Sequence, residues 1–157
     1  MDLSLPIGNG QLGAMIFGGI GCDEIQFNEK TVWTGRPNGI EKKANYGEYR
    51  NFGNLYISHR GIKTDTKITD YRRWLDIRNA VAGMTYSIDG VRYDREYIAS
   101  SPDGMIAVML RASGKEKINV DLLLKDGNTD YNGTASGTKI DKGNMTFKGK
   151  LTYLSYY

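Results

Sequence analysis

The chain has 157 residues, of which 39% are hydrophobic, 25% charged and 11% aromatic, a balance that supports one folded domain with a buried core and excludes a disordered tail. The formal charge is +3, with Lys and Arg scattered except in Tyr71-Arg72-Arg73-Trp74, so nucleic acid is not an expected partner and that patch reads as a solvated strand face. Cys22 stands alone, which excludes an intramolecular disulfide and a cysteine-based metal centre, and no apolar run is long enough for a membrane-spanning helix.

Twenty glycines and eleven tyrosines against three prolines favour many short strands joined by tight turns. Near the start, Gly8-Asn9-Gly10-Gln11-Leu12-Gly13 matches the glycine fingerprint of a dinucleotide site. Residues 14–19 are short, β-like and glycine-ended where that site needs a helix, so the glycines are assigned to a strained loop. Strands are predicted at 14–17 and 24–28, followed by a long irregular connection at 36–47, a length that often carries function.

Further strands are predicted at 55–58 and 69–77. His59 is the only histidine, which excludes a multi-histidine metal site. With no nucleophile elbow beside it, His59 reads as a satisfied surface residue at a strand end and not as a catalytic base.

The clearest local signal is residues 84–97, where apolar and polar residues alternate on both sides of Asp89-Gly90. Asp-Gly supplies the two positive φ angles of a type I′ turn, which sets Ile88 opposite Val91 and Tyr86 opposite Tyr93 or its near neighbour.

Strands at 106–112, 118–124 and 145–153 complete the set, with 128–143 as a loose edge hairpin. Asp126-Gly127-Asn128-Thr129-Asp130 spaces its oxygens like a calcium loop, but Tyr131 and Gly137 stand where an EF-hand requires glycine and glutamate, so an Asx-rich turn is expected. Asn132-Gly133-Thr134 and Asn144-Met145-Thr146 are glycosylation sequons, meaningful only in a secreted protein of a glycosylating host. Short strands at this spacing predict an all-β, antiparallel sandwich or barrel.

The segment from Leu5-Pro6-Ile7-Gly8-Asn9-Gly10-Gln11-Leu12-Gly13 to Phe17-Gly18-Gly19, followed by Phe27-Asn28-Glu29-Lys30-Thr31-Val32-Trp33-Thr34-Gly35-Arg36-Pro37, resembles the opening of family 95 glycoside hydrolases, the α-L-fucosidase and α-galactosidase group. The likeness continues through Phe52-Gly53-Asn54-Leu55-Tyr56-Ile57, Thr69-Asp70-Tyr71-Arg72-Arg73-Trp74, Tyr93-Asp94-Arg95-Glu96-Tyr97 and Phe147-Lys148-Gly149-Lys150-Leu151, nearly the whole chain. Two departures are a short connection at 39–49, where the family carries a longer helical insert, and an end at Tyr157, where family members continue with more strands.

The resemblance implies that residues 1–157 are the amino-terminal β-sandwich of such an enzyme, incomplete at its C-terminus and followed in the parent by an (α/α)6 catalytic barrel. It implies no catalytic residue, cofactor or metal in this chain. A glycosidase needs two carboxylates across a sugar-sized gap, and Glu24, Glu29, Asp70 and Asp76 read as solvated residues rather than such a pair.

The surface expected to face the barrel or the substrate comprises Gly8, Asn9, Gly10, Asn28, Glu29 and Trp33. Expected partners are that barrel, a glycan, or a second copy through a truncated sheet edge. The chain shows no signal peptide, and the parent is expected to be secreted or periplasmic. The rival readings are a free-standing carbohydrate-binding module and an interaction domain that uses an open sheet edge.

Overall fold

A computed structural model describes residues 3–34, 48–49, 51–115, 118–127, 134–141 and 144–150, with 33–34, 48–49, 134–141 and 144–150 described by backbone alone. In chain order the strands are β1 (Leu5–Gly8), β2 (Leu12–Ile16), β3 (Cys22–Glu29), β4 (Trp33–Thr34), β5 (Glu48–Tyr49), β6 (Gly53–His59) and β7 (Ile68–Asp76). Next come β8 (Val81–Ile88), β9 (Val91–Ser100), β10 (Met105–Ala112), β11 (Val120–Asp126), β12 (Thr134–Asp141) and β13 (Asn144–Lys150). No helix occurs among the described residues.

Two antiparallel sheets make the sandwich. One has five strands in the order β1-β2-β3-β6-β11, the other four in the order β10-β9-β8-β7, and two-stranded ribbons pair β12 with β13 and β4 with β5. The core forms where alternate residues of the two sheets meet: Ala14, Ile16, Ile25 and Ile57 from the first pack against Ala82, Met84, Tyr86 and Tyr97 from the second. Each of these side chains is almost fully buried.

The Asp89-Gly90 hairpin forms with the predicted register, Ile88 opposite Val91 and Tyr86 opposite Tyr93. Asp89 and Gly90 have φ of 50° and 79°, the two left-handed residues of a type I′ turn. The alternation therefore puts Met84, Tyr86, Tyr93, Arg95 and Tyr97 on the core face.

Elsewhere the strands lie close to the predicted segments, with some differences. The fingerprint-like glycines open a plain β-turn: Gly8 and Gly13 are paired strand residues, only Gly10 takes a positive φ, 87°, and a strand comes next instead of a helix. The predicted connection at 36–47 and the calcium-like residues Asn128 to Asp130 lie outside the described residues, as does the chain beyond 150. Of the loose edge hairpin expected within 128–143, residues 134–141 form β12, which pairs with β13, and the rest lies outside the described residues.

A bulge interrupts β7 between Thr69 and Arg72, and Asp70 within it has φ 55°. The extra residue, which no alternation in the sequence marks, reverses the facing of the rest of the strand, so Arg72 and Trp74 point outward while Arg73 and Leu75 point toward the other sheet.

Candidate functional site

Five of the six residues expected at the barrel-facing surface come together at one end of the five-stranded sheet. Gly8 pairs with Gly13, and Gly13 with Asn28, so the β1–β2 turn and the end of β3 form one ledge. Asn9 organises it. Its Oδ1 accepts from Gln11 N at 3.0 Å and Leu12 N at 2.7 Å, and its Nδ2 donates to Ser100 O at 2.7 Å, tying the turn to the start of the β9–β10 turn in the other sheet.

Next to it, Lys30 N donates to Gln11 O at 2.9 Å. Glu29 Oε2 accepts from Thr31 N at 2.9 Å and from the Thr31 hydroxyl, and these bonds, the hydroxyl's above all, hold its carboxyl below the ordinary range. The sixth residue, Trp33, is placed by its backbone, which pairs with Tyr49; its side chain lies outside the described atoms.

At the centre of the sandwich is a polar bridge that the sequence did not announce. Asp23 is fully buried and Arg95 is 3% exposed. Asp23 Oδ1 accepts from Gly18 N at 2.7 Å and Gly19 N at 3.2 Å, while its Oδ2 accepts from the Tyr97 hydroxyl and lies 3.6 Å from Arg95 Nη1. Arg95 donates to Gly19 O and Ile20 O, each at 3.1 Å, and to the Tyr86 hydroxyl at 3.2 Å.

Burial and then the Asp23 charge push the Tyr97 hydroxyl far above the ordinary tyrosine range, so it remains a donor at any physiological pH. Both charged groups are thereby spent on fastening the 17–20 loop to the opposite sheet, a structural task with no solvent-facing lone pair left for chemistry. One signal did exist: the hairpin alternation put Arg95 among core positions, and a buried guanidinium requires a carboxylate partner. The partner itself was not legible, since Asp23 and Tyr97 are 74 residues apart.

His59 ends β6, as expected, but it is half-buried between the sheets instead of lying on the surface. Its Nδ1 is 3.3 Å from the Tyr86 hydroxyl, and its ring meets Tyr93 edge-on at 4.8 Å. Burial first, and the Arg95 charge second, lower its pKa. With Tyr93, Leu110 and Val120 it lines a shallow half-open depression.

The four carboxylates that could serve acid–base chemistry do not converge. Glu24 Oε1 accepts from the Tyr56 hydroxyl at 3.2 Å, Glu29 serves the Thr31 turn, Asp70 takes the Thr69 hydroxyl at 3.0 Å, and Asp76 caps the turn at Arg78 and Asn79. Among the described residues no group of His, Cys, Asp or Glu side chains is arranged to hold a metal ion.

The family model described as "Glycosyl hydrolase family 65, N-terminal domain" matches residues 1–47 and 38–155. The chain is similar to alpha-L-fucosidase 2 of Arabidopsis thaliana, 31% identical over an alignment of 140 positions that covers 70% of this chain and 17% of that protein. It is also similar to a probable alpha-fucosidase A of Aspergillus oryzae, 25% identical over an alignment of 188 positions that covers 96% of this chain and 25% of that protein. The chain thus spans no more than a quarter of the length of these curated relatives. A sandwich whose strands carry the family's pattern almost from end to end belongs to the glycosyl hydrolase family 65 N-terminal domain family.

Proposed function

We propose that this chain is the non-catalytic amino-terminal domain of a family 95 type α-L-fucosidase, supporting a catalytic barrel supplied by the same parent chain. The observation that carries the reading is the dispersal of its carboxylates. Glycoside hydrolysis needs two carboxyl groups facing each other across the scissile bond, about 6.5 to 9.5 Å apart in an inverting enzyme. Here Glu24 and Glu29 lie at different points along β3, Asp70 and Asp76 lie near opposite ends of β7, each is bonded to its own neighbours, and the buried Asp23 is consumed by Arg95 and Tyr97.

The fucosidase relatives support the choice of fucose as the sugar, and the assignment to family 95 rests on the sequence resemblance. Docking of the barrel is assigned to the ledge of Gly8, Asn9, Gly10, Asn28 and Glu29, continued by the Trp33 backbone. Its hydrogen bonds hold two turns and a strand end in one rigid surface. A second surface is available on the edge strand β11, where Leu122 and Leu123 are 51% and 49% exposed and offer apolar area to further strands of the parent or to a second copy.

The test is to assay the purified chain and the intact parent on an aryl α-L-fucoside. Turnover by the parent and none by the chain is expected. Activity in the chain that is lost on neutralising Glu24, Glu29, Asp70 or Asp76 would overturn the reading. Acrylamide quenching of Trp33, with Trp74 changed to Phe, tests the docking face: Trp33 should be quenched readily in the chain and protected in the parent, and equal quenching would remove this face from the interface.

A further inference from the structure

The outer face of the four-stranded sheet carries a single indole, that of Trp74. Leu75 packs on the core, so Trp74 beside it projects outward, and the register sets Trp74, Gly83, Glu96 and Met109 in one row across β7, β8, β9 and β10. The indole covers Gly83: a methyl group at Gly83 would lie 2.1 Å from Trp74 Cζ2 and 2.4 Å from Cε2, so only glycine lets the ring lie down on the strand.

Beyond the ring, the row continues into polar groups that are paired yet partly open to solvent. Glu96 Oε2 lies 3.8 Å from Arg111 Nη2, and on the same face of β9 Asp94 is held by Arg92 at 2.7 Å; the two carboxylates are 34% and 33% exposed. Ile98, two residues along β9 from Glu96, and Met109, opposite Glu96 on β10, are 39% and 43% exposed. Covering a strand glycine with an aromatic ring stabilises a sheet. That role does not account for the paired donors and acceptors held beyond the ring's edge.

We propose that this face binds a pyranose ring of a glycan, with Trp74 stacking on the sugar's C–H face and the Glu96–Arg111 and Asp94–Arg92 pairs hydrogen-bonding its hydroxyls. The match is one of shape and polarity together. A pyranose has a flat apolar face and a polar rim, and strands about 4.8 Å apart put the Glu96 row one strand beyond Gly83, within reach of the hydroxyls of a ring seated on the indole. Fixed charge pairs suit neutral hydroxyls because each pair offers donors and acceptors together without presenting a net charge. The site rests on the glycoside hydrolase reading only for the choice of sugar probe.

The experiment is a titration of the chain, carrying Trp33→Phe, with 2′-fucosyllactose, followed by Trp74 fluorescence and by amide chemical shifts. A saturable change confined to the outer face of β7 to β10 is expected, with a dissociation constant on the order of 1 mM. Trp74→Ala should weaken binding at least tenfold, and Glu96→Gln severalfold with an unchanged melting temperature. No saturable change, or unchanged affinity in Trp74→Ala, overturns the proposal; if Trp74→Ala fails to fold, unchanged affinity in Glu96→Gln does so alone. Fucoside turnover by the parent without binding by the chain sinks this proposal and leaves the enzyme assignment standing, and binding without parental turnover does the reverse.

Discussion

Asp23 Oδ2 lies 3.6 Å from Arg95 Nη1, a buried ion pair that joins β3 of one sheet to β9 of the other. Its removal from one side should be severe, because Arg95 would keep its charge in a site only 3% exposed. Asp23→Ala is expected to cost about 3 to 5 kcal/mol, the range for breaking a buried pair, read by urea denaturation. Replacing both residues, Asp23→Leu with Arg95→Met, should recover a large part of that loss. Stability equal to the parent sequence in the single variant would show that the pair does not hold the sheets.

His59 predicts a pH dependence. Its folded pKa is lowered, by burial and then by Arg95, below the unfolded value of about 6.5, so the folded state binds fewer protons than the unfolded chain as the pH drops. The stability it contributes is present above pH about 6.5 and is lost as the pH falls through the folded pKa. The groups meeting it are the Tyr86 hydroxyl, the Tyr93 ring and the Arg95 charge, with Asp94 and Arg111 lining the same depression. Melting curves between pH 8 and 5 should show this decline in the parent sequence and a flatter profile in His59→Phe; parallel profiles would remove His59 as the cause.

Gly90 has φ 79° and open space where a side chain would project, so a substitution there is penalised by the backbone alone. Gly90→Val should destabilise by about 1 to 2 kcal/mol, the cost of a left-handed conformation for an L-residue. At this chain length that corresponds to a fall in Tm of about 2 to 8 °C, from roughly 2 to 4 °C per kcal/mol. Superimposable melts would contradict the type I′ assignment.

Gly83 and Trp74 should behave as one unit. Gly83→Ala places a methyl group 2.1 Å from the indole and must push the ring off the sheet, at a cost of about 1 to 3 kcal/mol for overpacking. In a Trp74→Ala background the same change should be close to neutral, because the crowding is gone. A double-mutant cycle measures the difference, and additive effects would place the ring elsewhere.

Local chemistry in the sequence determined the strands and the tightest turn. Alternation has a period of two residues, and an Asp-Gly pair can supply both left-handed angles, so residues 84–97 specified their own hairpin and register without reference to the rest of the chain. The same alternation placed Arg95 on the core face. The family pattern added the ledge residues, five of which the fold collects at one sheet end.

Only the tertiary structure decided which carboxylate answers Arg95, because Asp23 reaches Tyr97 across 74 residues and a contact between two sheets leaves no periodic mark in either strand. It also decided the facing of Trp74: the bulge at Asp70 inserts one residue into β7, and a one-residue shift turns every later side chain to the opposite face. His59 obeys the same logic, since the end of a strand is exposed or enclosed according to what the second sheet lays against it, here the Tyr86 hydroxyl and the Tyr93 ring.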